Sequence, residues 1–279
     1  MHVKSPLRIA VALTMLAFGA SACSSPPSAQ SAATATSASA TSALYDASAL
    51  PAGPLGQEIR LGHDVIDNPA KYLKADVTAN MTCSSCHIAA GTVPRGASLA
   101  GVYARFPQYN KRSKRVIALQ DRLAECFLYS MNGRAPAYTS KEMIGMVAYL
   151  AYISRDVPVG TPKAKADSFA VKVPSTAPDV AAGGKLYAQK CVTCHQANGA
   201  GVSGAFPPLW GATSFNNGAG MAKLANMTGF VKYNMPQNAP GTLSVQEAYD
   251  ISAFVLSHPR PKFNGSALMS SPALPAKFF

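Results

Sequence analysis

The pentapeptide Cys-x-x-Cys-His occurs twice, as Cys83-Ser84-Ser85-Cys86-His87 and as Cys191-Val192-Thr193-Cys194-His195. Its two thiols stand about one helical turn apart, which suits thioether bonds to the two vinyl groups of one haem, and the adjacent histidine is placed to ligate the iron. Two covalent c-type haems are expected, one on Cys83, Cys86 and His87 and one on Cys191, Cys194 and His195. The rival reading is a single zinc ion held by the four cysteines as a tetrathiolate. That rival explains neither the histidine after each pair nor the export signal at the start of the chain.

The first residues carry Lys4 and Arg8 and then run apolar over 9–20, too short a stretch to span a bilayer and typical of a secretory h-region. Residues 1–22 are read as a signal peptide. The expected location is the periplasm, where c-type attachment is completed. Ala20-Ser21-Ala22-Cys23 fits both a small-x-small cleavage site and a loose lipobox, so Cys23 is read as a lipid anchor, with Ala20 where a lipobox usually has leucine. Residues 23–52 are Ser, Ala, Thr and Pro with almost no charge, and cannot bury enough surface to offset ordering entropy. They read as a flexible tether spanning roughly 30 Å.

About 230 residues remain, which suits two small domains with one haem motif each. The expected fold class is all-α, with two cytochrome c-like domains over 53–156 and 179–262, an irregular linker over 157–178 and an extended tail over 263–279. Of the six cysteines, Cys23 belongs to processing and four to haem, which leaves Cys126 unassigned. An unpaired thiol in an oxidising compartment calls for an explanation. The formal charge of +12 outside the cytoplasm points to anionic small molecules, acidic redox partners or anionic lipid, and excludes nucleic acid as a partner.

Residues 180–190 form an amphipathic helix that leads into Cys191, with Gly183 and Tyr187 one turn apart on one face. This resembles the N-terminal helix of class I cytochromes c, in which a small residue lets the C-terminal helix cross closely. The crossing partner is expected over 245–257, with Ala248, Ile251, Phe254 and Val255 inward. Phe206-Pro207-Pro208-Leu209-Trp210-Gly211 resembles that family's proline loop, whose carbonyl fixes the tautomer of the haem histidine. Trp210 reads as a core aromatic. The first domain repeats the plan, with helices expected over 55–66 and 139–153, the second burying Met143, Met146, Val147, Leu150 and Ile153.

The residue opposite each histidine sets the chemistry of each haem. In the second domain Met235 lies in a loop just before the last helix, where a thioether ligand raises the potential, and Lys232 competes for the role. The first domain offers Cys126 and Met131 at comparable distances after His87. A helix expected over 116–130 would set Arg122, Cys126 and Ser130 on one face, where a nearby guanidinium favours a thiolate. Spacing alone leaves two outcomes, a thiol-centred enzyme or an electron carrier with His/Met ligation at both irons.

Cys126-Phe127-Leu128-Tyr129-Ser130-Met131-Asn132-Gly133, preceded by Phe106-Pro107-Gln108-Tyr109-Asn110-Lys111-Arg112 and Cys86-His87-Ile88-Ala89-Ala90-Gly91-Thr92, resembles the diheme thiosulfate dehydrogenases. That family interconverts thiosulfate and tetrathionate. The resemblance implies His87 and Cys126 on the first iron, His195 and Met235 on the second, and Met131 as a bystander. It also implies a substrate site built from Arg112, Arg122, Ser130 and Cys126, in which the sulfur of Cys126 forms a covalent adduct with thiosulfate. Electrons would pass from the first haem to the second and on to a small soluble cytochrome c. Some members carry a lysine immediately before the second methionine as an exchangeable ligand; here that position is Asn234, which argues for permanent methionine ligation.

Overall fold

A computed structural model describes residues 44–163 and 168–264. The expectations for the signal peptide, Cys23, most of the tether and the tail beyond residue 264 lie outside the described residues. The first domain is framed by helix α1 (Pro54–Asp67), followed by the single turn α2 (Pro69–Tyr72), helix α3 (Leu119–Glu125) and helix α4 (Lys141–Tyr152). The second is framed by α5 (Val180–Lys190), α6 (Leu224–Asn234) and α7 (Val245–Ser257). A hairpin of β1 (Gln108–Asn110) and β2 (Arg115–Ile117) is the one sheet among the described residues, a small departure from the all-α expectation. No helix among them is long and apolar enough to cross a membrane.

Each domain is closed by one tight helix crossing. In the first, a Cβ built at Gly62 of α1 would lie 1.8 Å from the Gly145 carbonyl oxygen of α4. In the second, a Cβ at Gly183 of α5 would lie 2.0 Å from the Asp250 carbonyl oxygen of α7, the close approach expected of that glycine. Helix starts follow capping chemistry. The Oγ of Ser140 accepts from the Met143 N–H, Asp179 accepts from the Ala182 N–H, and Ser244 and Glu247 form a reciprocal capping box. The cap at Ser140 explains why α4 starts later than the expected 139. Of the residues expected inward there, Met143, Met146, Leu150 and Ile153 are buried while Val147 is half-buried. Tyr149 fills that space instead, donating its hydroxyl to the Ala90 carbonyl at 3.0 Å.

The helix expected over 116–130 is three structures. Residues 115–117 pair with 108–110, the Asp121 carboxylate accepts the Ala118 N–H at 2.9 Å and so sets the start of α3, and Cys126–Ser130 forms a π-helix. The end of the segment read as tether is also packed. Tyr45 stacks on His63 with ring centroids 4.2 Å apart, and Arg60 and Arg155 donate to the carbonyls of Ala47 and Leu44.

The two domains meet through buried polar contacts. The Asn216 side chain, 1% exposed, donates to the Leu128 carbonyl at 2.8 Å and to Asn132 Oδ1 at 3.1 Å, while its own Oδ1 accepts from the Gly218 N–H. Phe263 packs on Tyr129 at 4.6 Å between centroids, so the described start of the tail also crosses this joint.

Candidate haem sites and the Cys126 pocket

Both haem motifs fold as tight turns. Thr82 caps the first, accepting from the Ser85 N–H, and the histidine N–H reaches back to the first cysteine carbonyl at 2.9 Å in each motif. Burial, with Cys126 next, pushes Cys83 and Cys86 up to about 12, and burial with Cys194 pushes Cys191 up to about 11. These thiols therefore stay protonated at neutral pH in the free chain.

Each imidazole is oriented by one carbonyl. His87 Nδ1 meets the Ala97 carbonyl at 2.5 Å, and His195 Nδ1 meets the Pro207 carbonyl at 3.0 Å, the proline-loop contact expected from sequence. A carbonyl on Nδ1 makes that nitrogen the N–H and leaves Nε2 as the ligating atom. Burial lowers His87 to about 4 against the opposing effect of the Ala97 bond, and burial lowers His195 in the same way. Both rings are therefore neutral at pH 7, the form that ligates iron. Two thiols, a neutral oriented imidazole and a tight turn fit haem c at both sites. No group of three or more His, Cys, Asp or Glu side chains is gathered among the described residues as a shared zinc site would require.

Across from the first motif, Cys126 starts the π-helix. The Met131 N–H reaches the Cys126 carbonyl at 3.0 Å, five residues back, so the side chains follow a wider turn than the regular stripe expected for Arg122, Cys126 and Ser130. Cys126 is half-buried and lies near enough to Cys83 and Cys86 to raise both thiols. It is also the largest influence on Arg122, whose guanidinium it holds more basic than usual. Ser130 ends the π-helix, half-buried. Met131 is 2% exposed and belongs to the apolar core.

Arg112 extends from the hairpin loop onto Tyr129, within the π-helix that Cys126 starts. Its guanidinium lies 3.7 Å from the centroid of the Tyr129 ring and donates to the Gly218 carbonyl of the second domain at 2.9 Å. The structure thus brings Cys126, Arg122 and, through Tyr129, Arg112 together. Sequence reasoning missed Tyr129, Gly218, Asn110 and Glu125 here. The Glu125 carboxylate accepts from Arg122 at 3.2 Å and from Asn110 at 2.9 Å. The only prior signal was position, since Glu125 adjoins Cys126 and Asn110 lies two residues before Arg112.

In the second domain Met235 follows α6 directly, half-buried. Lys232 is turned elsewhere, its ammonium on the Gly241 carbonyl at 2.8 Å. Asn234, 6% exposed, donates to the carbonyls of Phe230 and, across the domain joint, Arg95, both at 2.9 Å. Trp210 packs as a core aromatic against Tyr187, Phe254 and His258.

Residues 69–159 match the family model described as SoxA/TsdA, cytochrome c domain, and residues 180–259 match that described as cytochrome c. The thiosulfate dehydrogenase of Allochromatium vinosum is 40% identical over 226 residues, covering 78% of this chain and 83% of that one. That of Thiomonas intermedia is 38% identical over 219 residues, covering 77% and 70%. Among solved structures, thiosulfate dehydrogenase TsdBA from Marichromatium purpuratum, in its as-isolated form, superposes with a TM-score of 0.74 at 30% identity. The match covers 78% of this chain and 49% of that one, so the chain spans about half that protein's length. Two haem motifs on two matching cytochrome c domains, with this degree of identity along most of both sequences, mean that the chain belongs to the thiosulfate dehydrogenase family of oxidoreductases and carries two covalent haem c groups.

Proposed function

We propose that the chain joins two thiosulfates into tetrathionate, and runs the reverse reaction where potentials favour it. His87 and Cys126 would hold the first haem iron, and His195 and Met235 the second. The observation that carries this reading is the position of Cys126, which feels the two haem-binding thiols of the first motif on one side and the Arg122 guanidinium on the other. The bound haems supply the route by which electrons leave.

The chain's own residues account for the rest. Thiosulfate is a dianion, and joining two of them means holding like charges together. Arg112 and Arg122 offer planar, permanently charged forks matched to sulfonate oxygens, and Ser130 adds a hydroxyl donor. The Cys126 thiolate bonds to the outer sulfur of one thiosulfate as two electrons leave. A second thiosulfate attacks that same outer sulfur, which breaks the bond to Cys126, releases tetrathionate and restores the thiolate. Thiolate ligation at the first site and thioether ligation at the second make electron flow from first to second downhill, because methionine raises the potential.

The electrons would then pass to a small soluble cytochrome c. Export to the periplasm by residues 1–22, with anchoring through Cys23, would place the enzyme beside such a carrier. The test is Cys126→Gly. Thiosulfate-dependent reduction of an artificial acceptor should disappear while both haems stay attached, and the low-spin thiolate signature in the paramagnetic resonance spectrum should vanish with it. Retained turnover, or two methionine signatures in the unaltered protein, would reduce the chain to an electron carrier.

A further inference from the structure

The two arginines assigned to thiosulfate sit on separate elements. Arg122 lies in the last turn of α3, and Arg112 lies in the loop between β1 and β2. Nothing in either element alone sets the distance between their guanidinium groups. One carboxylate bridges the two elements, touching Arg122 of α3 and Asn110 of β1. Glu125, only 8% exposed, accepts from Arg122 Nη1 through Oε2 at 3.2 Å and from Asn110 Nδ2 through Oε1 at 2.9 Å. Asn110 Oδ1 in turn accepts from the backbone N–H of Arg112 at 2.8 Å and of Ser113 at 3.2 Å. Guanidinium, carboxylate, carboxamide and the backbone of Arg112 thus form one continuous chain of hydrogen bonds. A second buried carboxylate, Asp121, ties the other strand of the hairpin to α3 through Arg115 at 3.7 Å.

Charge alone does not account for Glu125. A carboxylate beside a site for dianions repels them and cancels part of the positive field that draws them in. Its benefit lies in geometry, because it holds the half-exposed Arg122 guanidinium at 3.2 Å and, through Asn110, braces the loop that carries Arg112. We infer that Glu125 and Asn110 are a positioning pair that fixes the separation of Arg112 and Arg122, and with it the fit of the site to thiosulfate. This rests on the substrate role proposed above for the two arginines.

The two possible roles of Glu125 predict opposite signs. Glu125→Gln keeps the shape, removes the charge and turns an amide N–H2 toward one of two donors, so one of the two contacts fails. If Glu125 positions the arginines, KM for thiosulfate should rise, kcat should fall, and kcat/KM should drop by about 10- to 100-fold, the scale of a small misplacement of binding groups. Sulfate, a dianion that does not react, should also bind more weakly by calorimetry. If Glu125 acts by charge only, both thiosulfate and sulfate should bind more tightly with kcat unchanged, which overturns the inference.

Asn110→Ala cuts the link to Arg112 and leaves the Glu125 ion pair to Arg122 in place. It should reproduce a smaller loss, and the double variant should lose less than the two single losses combined. Haem content and melting temperature confirm that each variant is folded. If the unaltered enzyme turns over thiosulfate while both single variants keep its kcat and KM, the positioning role fails and the function stands. If the unaltered enzyme shows no turnover, the proposed function fails, and sulfate binding alone still decides whether the pair spaces the arginines.

Discussion

The two domains share one proximal design and differ on the opposite side. Each crosses two helices at a glycine, Gly62 against Gly145 and Gly183 against Asp250. Each turns a Cys-x-x-Cys-His motif so that the histidine Nδ1 meets a loop carbonyl, Ala97 or Pro207. The segments around Cys126 and Met235 have nothing in common. The first domain puts Cys126 on a π-helix beside Arg122, Glu125 and Tyr129, whereas the second puts Met235 just past a regular helix whose neighbouring polar side chains, Lys232 and Asn234, are committed elsewhere. The frame around each haem motif is shared, and the two domains differ in the few residues around Cys126 and Met235.

The sharpest way to break this comparison is to give the first domain the second domain's ligand. In Cys126→Met the nucleophilic sulfur is replaced by a thioether that cannot form the thiosulfate adduct, so turnover should fall by at least roughly 10³-fold, the scale of removing a nucleophile. The first haem should stay attached and its potential should rise toward that of the second. A redox titration of the variant checks both. An unchanged potential would mean that Cys126 does not ligate.

The shared half of the comparison is tested by the glycines. Gly62→Ala and Gly183→Ala each drive a methyl group into a backbone carbonyl that cannot swing away, and each should cost about 2–3 kcal/mol in denaturant unfolding. Gly145→Ala meets its nearest neighbours at 3.1 Å, so it should cost less, about 1 kcal/mol. Equal costs at Gly62 and Gly145 would show that the first crossing relaxes as a whole.

Much of the generic frame can be read from sequence because covalent chemistry and close packing impose fixed spacings. The haem turns, the bounds of α5 and α7, the Gly183 crossing and the Pro207 carbonyl all follow from such rules. The catalytic side is less legible. A π-helix has no repeat that sets it apart from an α-helix over five residues, so the run from Cys126 to Ser130 reads as regular helix. Residues 116 and 117 read as helix until the pairing of 115–117 with 108–110 is known. The role of Glu125 depends on Asn110, and that of Asn216 on carbonyls of the other domain; a single sequence carries no signal for either pairing. Tyr45 was hidden for another reason, since one aromatic at the end of a polar tether gives no sign that His63, Tyr149 and Tyr152 form an aromatic site for it.

The smallest expected effect concerns the joint between the domains. Asn234 immediately precedes Met235, and its amide is turned toward the Arg95 carbonyl of the first domain. Arg95 also lies over the Tyr233 ring at 4.3 Å, and it is two residues from Ala97, whose carbonyl orients His87. The loop that fixes the first haem's histidine is therefore fastened to the helix end that presents Met235. Asn234→Ala removes a buried amide that donates to two carbonyls and should cost about 1–2 kcal/mol, lowering the melting temperature by a few degrees. The methionine signature proposed for Met235 should persist, because the Asn234 amide is spent on the Phe230 and Arg95 carbonyls. A lost methionine absorption band at unchanged stability would instead assign Asn234 to the ligand loop, and the two domains would then differ in how each distal residue is held as well as in its identity.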